Sequence, residues 1–214
     1  MLITPDGAML VSHDRAGVPH QLPGGTTVTE ELEDYLRQID AVKRDSRTVA
    51  SGLSQAQLNW RPGEGRWSIA ECLVHLNVVV TKTLPAFDRA IERGRARGLV
   101  GQGPFRYGWF ANWMVRSMEP PPKRLMKTFK IFAVPPGATY ALSDVLPEFL
   151  RVRDQLAERV RRADGLHLRR PRVVSPVTPL LRMPLGAYFA FVIAHDRRHL
   201  WQARQVLEAP GFGV

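Results

Sequence analysis

Three histidines carry the chemistry that this sequence is equipped to do. His195 and His199 stand four residues apart in the stretch HDRRHLWQARQVL. On an α-helix that spacing puts two imidazoles on one face, a turn apart, where both can reach one ion. The same pair recurs in helical zinc sites for this reason. A third ligand has to come from another segment, and His75 is the only other histidine inside a predicted helix. Three neutral imidazoles with a fourth position open form a catalytic rather than a structural metal site, because a closed structural site wants four ligands, usually with cysteine. Nitrogen ligands suit zinc, nickel, iron or copper, and spacing does not choose among them. A plainer alternative stays open on spacing alone. Histidine pairs at i, i+4 also arise by chance, and a lone histidine on an apolar face is often a core residue held by one hydrogen bond. Context favours the metal. His195 and His199 share the apolar stripe of Tyr188 and Val192, where an unpartnered imidazole costs about 1–3 kcal/mol. One shared ion satisfies both.

The neighbours of these histidines suggest supporting roles. Glu71, one turn before His75, could reach the site, although a helix-capping role already explains it. Gln202 follows His199 by three residues on the same face and could fix an imidazole tautomer, or else bond to backbone. Asp196 points about 100° around the helix from His195 and is better placed to tie another helix than to ligate. Cys72, three residues before His75, fits a buried inert thiol better than a thiolate ligand. It is the only cysteine, so an intrachain disulfide framework and a multi-cysteine zinc site are both excluded. His13, His20 and His167 fall in predicted loops and read as surface residues. No nucleophile elbow and no glycine-rich phosphate loop is present.

Helices must position the three rings. Leu32, Tyr35, Leu36, Ile39, Val42, Val49 and Leu53 recur mostly at spacings of three and four, with a weak turn at Ser46, which predicts a first helix over about 29–51 with Gly52 at its end. After a loop, Ser68 and Glu71 have capping-box spacing, with Trp67 and Cys72 at the flanking staple positions. They start a second helix from Ser68 to about Arg93, with a kink or break near Lys82–Leu84 caused by Pro85. Residues 97–142 hold an aromatic patch, Phe105, Tyr107, Trp109, Phe110 and Trp113, which reads as a short helix ending before Pro120-Pro121-Pro122. The patch could wall an apolar pocket or simply pack on one end of the fold. A third helix starts at Ser143 as N-cap and runs to Gly165, with Leu146, Phe149, Leu150, Leu156 and Val160 as its stripe and Arg153 at the margin. A polar, Pro-rich connection over 166–182 leads to a fourth helix with Pro184 in its first turn, ended by Pro210 and Gly211. Four amphipathic helices, little strand signal and one long crossover predict an all-α four-helix bundle over 29–210, preceded by an irregular arm at 1–28.

Composition narrows the function classes. Thirty basic residues against twenty acidic give a net charge of +10, mostly arginines spread singly along the chain. No aromatic-interleaved basic stripe accompanies them, so nucleic acid is not an expected partner, while a general attraction to anions is. No apolar run approaches the ~18 residues of a membrane span, and the start MLITPDGAML lacks the pattern of a secretory signal. The expected setting is cytoplasmic, with no membrane partner.

The stretch LSQAQLNWRPGEGRWSIAECLVHLN, together with HDRRHLWQARQVL, resembles the DinB/YfiT-like family of metal-dependent helical bundles. The family's W-S-I-x-E-x-L-x-H-L block and its H-x-x-x-H block with a following Gln both match without gaps, and the resemblance covers roughly residues 29–96 and 143–208. It implies a four-helix bundle of up-down-down-up order with the crossover between the second and third helices. It also makes His75, His195 and His199 the family's metal triad, holding a divalent ion such as zinc, nickel or iron. Some relatives look like thiol transferases that use a low-molecular-weight thiol (bacillithiol, mycothiol or glutathione) on a small electrophilic substrate, and members often form homodimers. The N-terminal arm and the long aromatic crossover depart from the family pattern. Two rival functions stand beside the transferase: a non-catalytic metal- or ligand-binding bundle, or hydrolysis at the same metal. A further rival is a protein-interaction module anchored by Trp109, Phe110 and Trp113.

Overall fold

The computed structural model describes residues 29–122, 128–135 and 137–213. The arm expected at 1–28, with His13 and His20, lies outside the described residues. What is described is predominantly helical. Helix α1 spans Glu30–Ala50, a short α2 Gln55–Asn59, α3 Ile69–Ala96, α4 Trp109–Met118, α5 Leu142–Arg162 and α6 Leu185–Leu207.

The first helix follows its stripe closely. Leu32, Tyr35, Ile39, Val42 and Val49 are buried, and so is Ser46, whose hydroxyl donates to the Lys43 carbonyl at 2.8 Å. That internal bond lets a polar residue sit in an apolar stripe. Gly52 takes φ +70°, the left-handed conformation that ends a helix most easily at glycine. The loop expected after it contains α2, a single turn closed by a capping box between Ser54 and Gln57. Helix α3 begins with the expected box, Ser68 Oγ accepting from the Glu71 amide and the Glu71 carboxylate from the Ser68 amide. Pro85 does not break α3, contrary to expectation. Its ring lies on the exposed face, as does Thr81, the residue whose carbonyl loses its partner to proline, and water can take that partner's place. Helix α5 starts one residue before Ser143, with Ala141 at the N-cap, and Ser143 bonds to Asp144 instead of capping. The 166–182 connection, expected to be irregular, carries a two-stranded antiparallel hairpin, Arg172–Val174 (β1) with Arg182–Pro184 (β2).

The four long helices pack on one continuous core that includes Phe87, Phe149, Phe189, Leu73 and Leu156. Helix α1 lies against α5 and α6, and α3 also packs on both of them. Side-chain contacts give the relative sense of each pair. Gln38 meets Arg197 and Asp45 meets Arg204, so α1 and α6 run together. Phe87 stacks on Phe189 while His75 faces His199, so α3 opposes α6. Asn77 accepts from Arg153 and Asp88 takes both Arg159 and Arg162, so α3 and α5 run together. The chain must therefore return along the fold between the end of α3 and the start of α5. The described residues of this stretch carry α4, which packs on α6, and a 3-10 turn at Lys130–Phe132.

Arg153 corrects the expectation of a marginal position. It is wholly buried, bonds through Nη2 to Asp196 Oδ1 at 2.5 Å and through Nη1 to Asn77 Oδ1 at 2.9 Å, and lies over the Phe149 ring at 3.7 Å. Each guanidinium nitrogen has a partner and the charge faces a carboxylate, which makes its burial tolerable. Of the aromatic patch, Phe105 and Tyr107 pack against the core, while Trp109, Phe110 and Trp113 stand exposed along α4.

Candidate metal centre

His75 sits on α3, two turns past the Ser68 cap, and His195 and His199 sit one turn apart on α6. Because α3 and α6 oppose one another in contact, the two separate segments present their rings to one point. Ring centroids are 4.7 Å apart for His75 and His199, 5.3 Å for His75 and His195, and 4.6 Å for His195 and His199. One ring nitrogen from each falls within 4.8 Å of the others. Metal–nitrogen bonds run about 2 Å, so small side-chain rotations are enough for one ion to be shared. His75 is buried and the other two are partly covered.

The ring nitrogens that would not bind metal are accounted for in two of the three. His75 Nδ1 donates to the Phe132 carbonyl at 3.0 Å, and that carbonyl can only accept, so the lone pair of this ring is on Nε2. His199 Nδ1 donates to Gln202 Oε1 at 3.0 Å, which leaves Nε2 as its acceptor. Gln202 thus bonds an imidazole side chain rather than backbone through this oxygen. His195 Nδ1 is buried without a hydrogen-bond partner among the described residues. A buried polar atom left in this way is costly unless something else engages the ring, and an ion at the cluster would do so.

Electrostatics keeps the rings neutral. Burial pushes His75 below its ordinary value, assisted by the Arg153 charge and opposed by the Phe132 carbonyl. His195 is held well below, first by burial and then by His199, His75 and the charges of Arg198 and Arg153. His199 is pushed down to about 3 by burial and by His75, against the Gln202 bond. Metal ligation requires neutral imidazole, and all three rings meet that requirement at neutral pH.

Glu71 does not join the cluster. Its carboxylate bonds the Arg61 guanidinium and the Ser68 amide, and none of its hydrogen bonds reaches an imidazole. Asp196 turns to Arg153 on α5, as its angle around the helix suggested. Cys72 is fully buried, and burial raises its thiol well above the ordinary range, so it stays protonated. His167, expected at the surface, is half-buried with its ring 4.6 Å from that of Phe105.

Two participants escape sequence reasoning. Trp67, read as a staple and as the first residue of the W-S-I-x-E-x-L-x-H-L block but given no part at the histidines, stacks on His199 at 5.4 Å with 22° between planes and lies 4.8 Å from His75. It lies against two of the rings, and its place immediately before the cap, at the head of the W-S-I block, was the signal the sequence carried. The Phe132 carbonyl belongs to the crossover, and a backbone acceptor leaves no signature in side-chain types.

The DinB superfamily profile matches residues 38–203, most of the chain and both histidine-bearing helices. The chain belongs to the DinB superfamily. No curated protein and no solved structure matches it significantly. In this DinB-superfamily protein the match joins the Ser68-capped helix to the His195–His199 helix, the two blocks that carried the resemblance. Among the described helices, α3 alone is long and apolar enough to cross a membrane, and most of its apolar window is buried inside the fold.

Proposed function

We propose that this protein is a divalent-metal-dependent enzyme that transfers a low-molecular-weight thiol to a small electrophilic substrate, with His75, His195 and His199 as the metal ligands. The observation that carries the reading is the convergence of three neutral imidazoles, two of them with Nδ1 tied back to a fixed acceptor. Zinc and nickel suit this nitrogen set best, and iron is compatible. The bound ion would supply Lewis acidity, lowering the pKa of a thiol or water at its open position towards neutrality. Phe132 and Gln202 hold two rings in the ligating tautomer. Trp67 shields the rings from water, and the buried Arg153–Asp196 pair locks α5 to α6 beside them.

An up-down-down-up bundle over 29–210 is part of this reading, supported by α1 running with α6 and α3 running with α5. So are a cytoplasmic setting and a homodimer, the latter supported by the exposed Trp109, Phe110 and Trp113 face of α4.

Metal analysis of the purified chain tests the foundation. A stoichiometric ion in the wild type, lost in His75→Ala and in His199→Ala, is expected. An ion retained in both variants, or none in the wild type purified without chelator, would remove the site. A spectroscopic screen of bacillithiol, mycothiol, glutathione and coenzyme A against a model electrophile, with and without chelator, then tests the reaction. Chelator-sensitive turnover with one thiol supports transfer. Turnover with water alone assigns a hydrolase, and no turnover leaves a metal-binding bundle.

A further inference from the structure

At the end of α3 remote from the imidazoles, the chain builds a cavity of about 510 Å³ lined by Arg97, Leu99, His167, Arg169, Arg170 and Arg172. Four arginines, all solvent-exposed, are among its lining residues, and no acidic residue is. Among the described residues none of these four arginines makes an ion pair, whereas Arg153, Arg159, Arg162 and Arg197 each face a carboxylate. An anion bound among several arginines without carboxylate partners is attracted by each of them.

The walls are fixed by backbone. His167 N donates to Leu99 O at 2.8 Å and Gly101 N to Gly165 O at 3.1 Å, which pins the segment after α3 to the one after α5. Gly186 N donates to Leu168 O, Leu185 N to Pro171 O, and Arg93 Nη2 to Arg172 O. Two glycines allow the close approach: a Cβ at Gly94 would come within 2.9 Å of the Pro171 ring, and one at Gly101 within 3.0 Å of His167. The arginine-bearing segment is thus held in place before any ligand arrives, which lowers the ordering cost of binding. His167 Nδ1 is buried beside it without a hydrogen-bond partner among the described residues.

We propose that this cavity binds a small anion carrying a diphosphate group. Guanidinium forks match phosphoryl oxygens in bidentate geometry, and several together call for a ligand of several negative charges rather than a single carboxylate. The volume is that of a small-molecule site. A concave site without stacking aromatics does not suit a nucleic-acid strand. The site is separate from the metal centre by most of the length of α3, about 30 Å at 1.5 Å per residue.

Isothermal titration of the full chain with sodium pyrophosphate, at near-physiological salt and without added metal, tests it. Three variants accompany the wild type: Arg169→Gln/Arg170→Gln, the charge-matched control Arg44→Gln/Arg47→Gln on exposed positions of α1, and His75→Ala. Saturable binding is expected in the wild type, in the control and in His75→Ala. The Arg169/Arg170 double variant should bind about tenfold more weakly or worse, while its circular dichroism and ligand-free melting temperature match the wild type. Equal weakening in the α1 control would reduce the effect to net charge and overturn the site. So would loss in His75→Ala, which would move binding to the imidazoles. Absence of binding at about 10 mM pyrophosphate overturns it directly. Orthophosphate as second titrant should bind more weakly than pyrophosphate, and the reverse order would contradict the diphosphate assignment. Preferential capture of duplex DNA, lost in the same double variant, would assign the cavity to nucleic acid instead.

Discussion

Gln202 is the residue on which the metal reading can be tested with least damage to the fold. Its Oε1 accepts from His199 Nδ1, so Gln202→Leu removes the acceptor and leaves the ring free to take the wrong tautomer. We expect metal affinity to drop about 10- to 100-fold in chelator competition, with Gln202→Glu retaining most of it, since outer partners of ligating histidines carry effects of this size. The depressed imidazoles make a second prediction, for the metal-free protein. A histidine whose folded pKa lies below its unfolded value costs nothing above about pH 6.5 and destabilises progressively as the unfolded chain takes up protons that the native state refuses. For His199 that window runs from about 6.5 down to about 3. Urea midpoints of the apoprotein should fall steadily between pH 7 and 4, by at most about 1.4 kcal/mol per pH unit for each histidine. His199→Gln should flatten the slope, and an unchanged slope would contradict neutral burial of that ring.

Helix α5 shows what sequence pattern could and could not reveal. Its length and apolar stripe were legible because Phe149, Leu156 and Val160 repeat locally, and α3 began where Ser68 and Glu71 predicted because a capping box is a contact between near neighbours. The burial of Arg153 was not legible. It depends on Asp196, 43 positions away, and on Asn77 of a third helix, and no local period encodes such partners. For a related reason α2 and the β1–β2 hairpin escaped notice: a single turn and two three-residue strands are too short to show a period. The Arg153–Asp196–Asn77 tie yields its own prediction. Asp196→Ala alone strands a buried guanidinium and should cost about 3–5 kcal/mol in chemical denaturation. The joint replacement Arg153→Met, Asp196→Leu and Asn77→Leu should fold with stability near or above wild type. If the tie also sets the register of α6, this stable triple variant will still bind metal more weakly, and unaltered metal affinity would confine the tie to packing.

For the whole molecule, the decisive joint is the start of α6. Tyr107 from the crossover and Tyr35 from α1 both donate to Glu31 Oε1, at 2.5 and 2.6 Å. This cluster sits on Gly186, where a Cβ would come 1.9 Å from the Tyr107 hydroxyl. Gly186→Ala should therefore destabilise by about 1–3 kcal/mol, despite alanine's better helix propensity. Adding Tyr107→Phe should recover part of the loss, and strict additivity of the two changes in thermal denaturation would contradict the steric account. The histidine cluster was legible as a possibility from i, i+4 spacing plus one more helical histidine. Its assembly depended on the opposed senses of α3 and α6, which only the packed fold expresses.

The Phe132 carbonyl adds a sensitivity that the helices alone would not have. One peptide group in the long return segment decides which nitrogen of His75 carries hydrogen. Anything that tugs that segment outward, whether an incoming molecule, a protease cut or a neighbouring chain, would release the ring to turn over. That one contact makes the hydrogen placement on a helix-borne ring depend on a segment outside the four long helices.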